Sequence, residues 1–295
     1  MTSTSYLDRL AARSAAVGSV LCLGLDPDPT ALPDGFSRDV VGIEAFARLV
    51  LDACLPHVAA VKPNLAFYEA FGSAGVAVLE RLRARIPGDV PLILDAKRAD
   101  IGSTSARLAV ALFDALGADA VTLNPYLGRD AIAPLLESAD RYAYILCRTS
   151  NPGADELQGL VVEGADVDAG TGGADAANEP LAYRVARTIA GWPEASAGTV
   201  GLVVGATAPR ELAAIRALVP GLGFLVPGLG AQGGDLEAVR EFGPAGMPPA
   251  GGRPGGGLVV NVGRGILGAA VGADDPAGAL AEAARAWSER LPVLA

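Results

Sequence analysis

Hydrophobic residues along the chain fall into short apolar runs separated by longer stretches with helical spacing. Stretches such as IEAFARLVLDAC, GVAVLERLRARI and PRELAAIRALV place apolar residues three and four positions apart, as in amphipathic helices. The short runs are rich in Val, Leu and Ile and have the length of buried strands. We predict eight strands, over residues 19–26, 58–64, 91–97, 120–125, 142–150, 200–207, 223–230 and 258–265.

Strands that alternate with helices are typical of a parallel sheet. Eight such units in 295 residues favour an α/β fold with a single (β/α)8 TIM barrel as one domain over residues 1–295. A doubly wound open sheet is the alternative. That fold more often has a glycine-rich dinucleotide turn after its first strand, whereas the first predicted strand here ends in GLDPDP.

Two segments interrupt the repeated pattern as insertions. Residues 163–180 follow the fifth predicted strand, and residues 242–257 precede the eighth; both are rich in Gly, Ala and Pro. Their apolar content is too low for independent folding, so we predict loops. The first is expected on the face that carries the chemistry, where it could cover a ligand, and the second on the opposite face.

Composition and charge narrow the class of protein. Half of the residues are hydrophobic, but no apolar run approaches the ~20 residues that cross a bilayer. The first residues lack the basic start and apolar block of a signal peptide. We therefore expect a soluble, cytoplasmic protein without a membrane partner. A net charge of −10 argues against general nucleic-acid binding and leaves room for a local phosphate pocket.

Cysteine and histidine contribute little to the predicted chemistry. The three cysteines, Cys22, Cys54 and Cys147, lie far apart, so buried reduced thiols are expected instead of a zinc site or disulfides. The single histidine, His57, precedes a predicted strand and is expected to be structural. Acid–base chemistry must then fall to Lys, Asp, Glu, Tyr or Cys.

Polar residues cluster where the predicted strands end. In a barrel these carboxyl ends converge on one mouth, where active sites are built. The residues are Asp26, Lys62, Asp95, Lys97, Asn124, Ser150, Thr207, Gly228, Gly230, Gln232, Gly263 and Arg264.

Lysine is rare in this chain and stands at two of these strand ends. Of the 23 basic residues only Lys62 and Lys97 are lysines. Asp95 and Lys97 are two positions apart, so in a strand they project to the same side, and Lys62 on the neighbouring strand can approach Asp95. Such a row keeps Lys97 an ammonium, which suits protonation of a carbanion better than Schiff-base formation. A buried ion pair that only closes the barrel is the structural alternative.

Glycines surround the last two strand ends. VPGLGAQGGD and NVGRGI expose backbone N–H groups at strand-to-helix turns, and Arg264 adds a guanidinium. Loops after the seventh and eighth strands of such barrels often bind phosphate. We therefore predict a phosphate site here, with tight turns alone as the alternative.

These motifs closely resemble the orotidine 5′-phosphate decarboxylase family, particularly its longer bacterial subfamily. LILDAKRADIGST resembles the signature Asp-x-Lys-x-x-Asp-Ile followed by Thr. CLGLDPDP, AVKPNLAFYE, VTLNPYLG, RTSNPGADELQ, VVGAT, VPGLGAQGGD and NVGRGI resemble its other blocks in order, over about residues 19–268.

The resemblance implies conversion of orotidine 5′-phosphate to UMP in pyrimidine biosynthesis, without a cofactor or metal. Lys97 would protonate C6 of the pyrimidine, and Asp95 would lie beside the departing carboxyl group. Lys62 and Asp26 would contact the ribose, with Asn124 as a further substrate contact, and Ser150 would bond the pyrimidine amide. Gln232, Arg264, Gly230 and Gly263 would hold the phosphate. Asp100 and Thr104 would reach the partner's site in a homodimer with shared active sites.

Two other functions remain open at this stage. One is a related barrel with a similar Asp-x-Lys-x-x-Asp strand that acts as a metal-dependent decarboxylase or aldolase on a sugar phosphate. Sensitivity to EDTA would identify it, although no extra acidic pair stands at neighbouring strand ends. The other is a non-catalytic nucleotide-binding barrel, which would bind UMP without turning over orotidine 5′-phosphate.

Overall fold

A parallel eight-stranded barrel forms the centre of the molecule. The structure is a computed structural model that describes residues 4–163 and 178–293. The barrel strands are β1 (Leu21–Gly24), β2 (Ala60–Lys62), β3 (Ile93–Arg98), β4 (Ala120–Leu123), β5 (Tyr142–Arg148), β8 (Val200–Val204), β9 (Gly223–Val226) and β10 (Val259–Val262). Two further strands, β6 (Val161–Val162) and β7 (Glu179–Pro180), form a separate antiparallel pair.

The hydrogen-bond order of the barrel strands is β2-β1-β10-β9-β8-β5-β4-β3, and every pairing is parallel. Isolated parallel bridges join β2 to β3, and the Asp95 N–H donates to the Pro63 carbonyl at 3.0 Å. These bridges close the circle of strands. The predicted (β/α)8 barrel is therefore confirmed.

Helices occupy the connections between the strands. They are α1 (Tyr6–Val17), α2 (Val40–Cys54), α3 (Leu65–Glu69), α4 (Gly72–Arg83), α5 (Gly102–Ala109), α6 (Leu181–Ala190), α7 (Pro193–Ala197), α8 (Pro209–Leu218), α9 (Leu236–Phe242), α10 (Arg264–Leu267) and α11 (Pro276–Arg290). Side chains cap several of them: Asp39 accepts from two N–H groups at the start of α2, and Asp275 accepts from Gly278 in α11. Across the described residues no helix has the length and apolar character to span a membrane.

Most strands end earlier than the sequence pattern predicts. The predicted eighth strand extends to residue 265, but β10 ends at Val262 and Arg264 already begins α10. The predicted seventh strand runs to residue 230, whereas β9 ends at Val226, just before Pro227, which has no N–H for the ladder. In both cases the predicted strand included glycines that lie beyond the last residue of the observed strand.

Side chains alternate between two buried layers along the strands. Leu21 and Leu23 of β1 pack outward under the helices, whereas Cys22 between them belongs to the cluster inside the barrel. Cys22, Cys54 and Cys147 are all buried free thiols, as predicted.

Three tyrosines plug the amino-terminal end of the barrel. Tyr6 of α1 stacks on Tyr142, with ring centroids 4.6 Å apart, and its hydroxyl lies 3.1 Å from that of Tyr144. Small neighbours such as Ala60 and Ala120 leave space for these rings. This end is filled, whereas side chains at the opposite, carboxyl end of the strands, such as Lys97 and Arg264, are exposed, so we call that end the open one.

The segment 242–257 lies at the plugged end. The Met247 N–H donates to the Pro220 carbonyl and the Ala250 N–H to the Gly221 carbonyl, and both acceptors lie just before β9. The segment is therefore remote from the carboxyl ends of the strands.

The predicted loop over 163–180 falls mostly outside the described residues. Its last two residues, Glu179–Pro180, pair with Val161–Val162.

Candidate active site

Two lysines flank one carboxylate at the open end of the barrel. Lys62 Nζ lies 2.9 Å from Asp95 Oδ2, and Lys97 Nζ lies 2.5 Å from Asp95 Oδ1. The sequence-based prediction that these three residues form a row is therefore matched by their geometry. The Lys62 side chain is only 5% exposed, whereas 46% of the Lys97 side chain is exposed. Lys97 is thus the ammonium of the pair that a ligand in the mouth could reach.

The charges hold one another ionised. Burial alone would raise the pKa of Asp95, but the ammonium groups of Lys62 and Lys97 lower it far below its ordinary value. Burial would likewise lower the pKa of Lys62, yet Asp95 and Asp26 raise it above its ordinary value. Asp95 is therefore a carboxylate and Lys62 an ammonium at neutral pH.

Asp26 extends the charged group on the side of Lys62. Its Oδ1 accepts a hydrogen bond of 2.8 Å from the Asn64 N–H. Burial raises the pKa of Asp26, and the nearby Lys62 ammonium opposes that rise. Asn64, which the sequence analysis did not single out, thus orients Asp26 from the end of β2.

The backbone at Lys97 departs from regular strand geometry. Among the described non-glycine residues, Lys97 alone has a positive φ, at 50°. The pairing of β3 with β4 shifts register between Leu94 and Arg98, which is the signature of a bulge. The prediction that Asp95 and Lys97 share one side holds, but a bulge instead of regular alternation brings them together.

Thr122 of β4 contacts both members of this pair, and the sequence analysis missed it. Its hydroxyl donates to Asp95 Oδ1 at 2.8 Å and accepts from the Lys97 N–H at 3.0 Å. The available signal was the alternation in β4, where Thr122 stands between the outward residues Val121 and Leu123.

A second group of predicted residues meets around Gly228. A Cβ added to Gly228 would lie 3.0 Å from the Ser150 Cβ, 3.2 Å from Gln232 Oε1 and 3.4 Å from Thr207 Cγ2. The φ of Gly228 is 105°, a conformation that favours glycine. The structure therefore brings Ser150, Thr207 and Gln232 to one place at the ends of β5, β8 and β9.

The predicted phosphate residues lie where β1, β9 and β10 end. Gly263 approaches Gly24 so closely that a Cβ on Gly24 would lie 2.9 Å from the Gly263 Cα. A Cβ added to Gly230 would lie 3.9 Å from the Gly265 Cα, so these two glycines are also neighbours. Arg264 is exposed, and it forms no ion pair within the described part of the chain. Its guanidinium is thus available to an anion.

Asp100 and Thr104 do not join the charge row of their own chain. Asp100 follows β3, and its carboxylate accepts the N–H of Ile101 at 2.7 Å. Thr104 is exposed in the first turn of α5. Neither residue bonds Lys62 or Lys97 in the described structure.

The Asn124 side chain forms no hydrogen bond with the charge row in the described structure. Its Oδ1 accepts from the Tyr126 N–H at 3.1 Å and caps a short 3₁₀ turn. The residue lines a lateral cavity of about 610 Å³ between the β4 loop and α6, which includes Cys147 and Trp192 but none of the charged row.

Acidic, cysteine and histidine side chains are not grouped for metal binding in the described ranges, 4–163 and 178–293: no three of them lie close enough to hold an ion.

Comparison with known proteins gives a consistent result. The model of the Orotidine 5'-phosphate decarboxylase / HUMPS family matches residues 19–283. An orotidine 5′-phosphate decarboxylase of Roseiflexus castenholzii is 48% identical over 88% of each chain. One of Thermomicrobium roseum is 45% identical over 97% of this chain and 93% of the relative. The solved OMP decarboxylase of Leishmania donovani matches with a TM-score of 0.76 and 34% identity, over 97% of this chain and 96% of that one. The chain therefore belongs to the orotidine 5′-phosphate decarboxylase / HUMPS family.

Proposed function

We propose that this protein decarboxylates orotidine 5′-phosphate to UMP in pyrimidine biosynthesis, without a cofactor or metal. The observation that carries the proposal is the row of Lys62, Asp95 and Lys97 at the open end of the barrel. Family membership and the relatives' shared activity support the same reaction. The buried reduced thiols agree with a cytoplasmic setting.

In the proposed reaction the bond between C6 and the carboxyl carbon breaks, and CO2 leaves. The electron pair stays on C6 as a vinylic carbanion that the ring does not delocalise. The Lys97 ammonium stabilises this charge and then transfers a proton to C6, which yields UMP and a neutral amine that takes a proton from water. The exposure of Lys97 beside its buried partners supports this assignment.

Asp95 and Lys62 set the field in which this proton transfer occurs. Asp95 holds the two ammonium groups on its two oxygens and would face the departing carboxyl group of the substrate. Because these charges are in place before the substrate binds, little reorganisation is needed as the carbanion forms. Lys62 and Asp26 would also contact the ribose hydroxyls.

Binding of the remote groups would hold C6 against Lys97. Ser150 is proposed to bond the pyrimidine amide, and Gln232 and Arg264 to bind the phosphate with the backbone of Gly230 and Gly263. The free guanidinium of Arg264 supports this proposal, since arginine pairs well with phosphate oxygens. Binding energy from the phosphate can then position the reacting carbon. Asn124, whose amide oxygen caps a turn, is proposed as a further substrate contact.

A homodimer with shared active sites is part of the proposal. Asp100 and Thr104 stand on the exposed side of the β3 end, beside Ile101, which is 67% exposed. Tyr126, on the loop after the neighbouring β4, is 88% exposed. Apolar side chains left in water at a site mouth favour burial against another chain. A second copy would bring its Asp100 and Thr104 to the site of the first.

The function is tested by following the absorbance of orotidine 5′-phosphate with EDTA present. We expect its conversion to UMP at an undiminished rate after metal removal. Conversion that requires a divalent metal would contradict the cofactor-free mechanism, and UMP binding without any turnover would contradict the enzyme assignment.

A further inference from the structure

The Thr122 hydroxyl makes two hydrogen bonds that join the backbone of Lys97 to the carboxylate of Asp95. We propose that Thr122 is a positioning residue for the decarboxylation, acting through Lys97 and Asp95. The inference rests on the proposed function and deepens it. Thr122 is 1% exposed, so its hydroxyl acts through these two residues and not by contact with solvent.

The first task of the hydroxyl is to hold the bulge at Lys97. A φ of 50° is unfavourable for a non-glycine residue, so the surrounding structure must favour that conformation. The Lys97 N–H donates to Thr122 Oγ1 at 3.0 Å, so a side chain of the adjacent strand satisfies this N–H. Without that acceptor this part-buried donor would lose its partner, and Lys97 could return to regular strand geometry.

The second task is to fix the rotation of the Asp95 carboxylate. Thr122 donates its one hydroxyl hydrogen to Oδ1, the same oxygen that Lys97 Nζ contacts, which leaves Oδ2 to Lys62. A hydroxyl has a single hydrogen and accepts through its lone pairs, so both bonds form together. The Thr122 side chain thereby helps to position both the backbone of Lys97 and the carboxylate oxygen that its ammonium contacts.

This arrangement predicts an effect on chemistry rather than on binding. Errors of about 1 Å in the position of a reacting group can cost roughly a hundredfold in rate. The proposed phosphate and ribose contacts come from other strand ends, and none of the residues that would make them is hydrogen-bonded to Thr122. Loss of that hydroxyl should therefore lower kcat while leaving nucleotide affinity nearly unchanged.

The experiment compares Thr122→Val, which removes the hydroxyl at nearly constant shape, with Thr122→Ser, which keeps it. Thr199→Val is the matched control, because Thr199 is also buried but lies just before β8, at the plugged end of the barrel. For each purified protein, kcat and KM for orotidine 5′-phosphate and the dissociation constant of UMP are measured. If Thr122→Val does not fold, Thr122→Ala replaces it under the same criteria.

We expect kcat to fall at least tenfold in Thr122→Val, with KM and UMP affinity within about threefold of wild type. Thr122→Ser and Thr199→Val should keep kcat within about threefold of wild type. An unchanged kcat in Thr122→Val, a Ser variant as slow as the Val variant, or a loss confined to KM would overturn the inference while wild-type turnover upholds the proposed function. A wild-type protein that does not consume orotidine 5′-phosphate would overturn both.

Discussion

At the scale of single residues, the two lysines of this chain stand at the proposed catalytic site, whereas its other basic side chains are nearly all arginines. Every Lys or Arg position outside the charged row is an arginine, and the two ends of the row are the lysines Lys62 and Lys97. An arginine at position 97 would supply positive charge and hydrogen bonds but would not release a proton readily, because the pKa of a guanidinium is well above that of an ammonium. The choice of lysine at the reachable end of the row therefore fits a proton donor better than a structural ion pair.

Replacement of Lys97 tests this distinction directly. We expect Lys97→Ala to lower kcat for orotidine 5′-phosphate by at least a thousandfold, or about 4 kcal/mol, because the charge and the proton donor are both lost. Lys97→Arg should remain severely impaired despite keeping a positive charge. Absorbance assays give the rates, and calorimetric binding of UMP shows whether the sites are intact. Near-normal turnover by either variant, with UMP still bound, would refute the role of Lys97.

Replacement of Asp95 should appear in the pH dependence of stability. Asp95→Asn leaves the buried Lys62 without its closest counter-charge, so we expect a loss of about 3 kcal/mol of unfolding free energy at pH 7. The folded-state pKa of Asp95 lies below its unfolded value, so the unfolded chain binds more protons between them and wild-type stability rises with pH in that window. The difference between the two proteins should therefore be constant above pH ~5 and shrink as the pH falls below ~4.

Urea denaturation at several pH values measures this difference. Asp52→Asn is the control, because the Asp52–Arg85 pair is exposed and should contribute less than about 1 kcal/mol. Equal losses in the two variants, or a difference that does not vary at acid pH, would contradict the electrostatic account of Asp95.

The main charged residues could be predicted because the end of a buried strand is visible in the sequence as the end of an apolar run. Asp95, Lys97 and Lys62 each follow an apolar run, and parallel strands bring such ends together. Thr122 was missed because it lies within a strand, and the sequence does not show that the bulge in β3 brings the Lys97 N–H to its hydroxyl. Asn124 stands at the end of β4 as predicted from the strand ends, but the sequence pattern did not reveal that its side chain caps the turn after Leu123.

At the scale of elements, hydrogen bonds that the sequence pattern does not reveal anchor the long connection before β10. Arg216 of α8 donates to four backbone carbonyls, including Phe242 at 3.1 Å and Gly243 at 2.6 Å, and its guanidinium lies 3.5 Å from the centre of the Phe224 ring. Composition alone predicted a loop over 242–257 because Gly and Pro are frequent there. One buried arginine outside the segment helps to fix the start of its path.

We expect Arg216→Lys to lower the unfolding free energy by about 2–3 kcal/mol, because an ammonium cannot reproduce the planar fork that serves four carbonyls. The decarboxylation rate at low temperature should stay near wild type, since this anchor lies at the plugged end. Arg210→Lys on the exposed side of the same helix is the control and should change stability by less than about 0.5 kcal/mol. A loss of kcat in Arg216→Lys without a loss of unfolding free energy would contradict the assignment of Arg216 to stability and not to catalysis.

At the scale of the whole molecule, the contacts that we expect to stabilise the fold lie at one end of the barrel, and the residues proposed for catalysis lie at the other. The tyrosine plug and the Arg216 anchor occupy the amino-terminal end, and the charged row and glycine turns occupy the other. This division could be predicted from the βα alternation, because parallel strands must present all their carboxyl ends on one side. The association of two chains could not be derived that way, since an interface depends on which exposed side chains match in three dimensions.

The shared-site homodimer is tested by mixing two inactive variants. Lys97→Ala lacks the proton donor in its own site, and Asp100→Ala lacks the carboxylate that would reach the partner's site. In a mixed dimer one site would carry both defects, while the other would keep Lys97 from one chain and Asp100 from the second. After random exchange of equal amounts, half of the dimers are mixed and half of their sites are intact, so about a quarter of wild-type activity per chain should return.

The measurement is turnover of orotidine 5′-phosphate before and after subunit exchange, which is verified with differently tagged chains. Mixing Lys97→Ala with Thr122→Val is the control, since both changes lie within one chain's contribution to its site. That mixture should gain nothing beyond the Thr122→Val activity already present, because each mixed dimer still has one defect in either site. Activity that fails to rise in the Lys97→Ala and Asp100→Ala mixture after proven exchange would place Asp100 outside the partner's site. The exposed apolar residues beside it would then need another explanation.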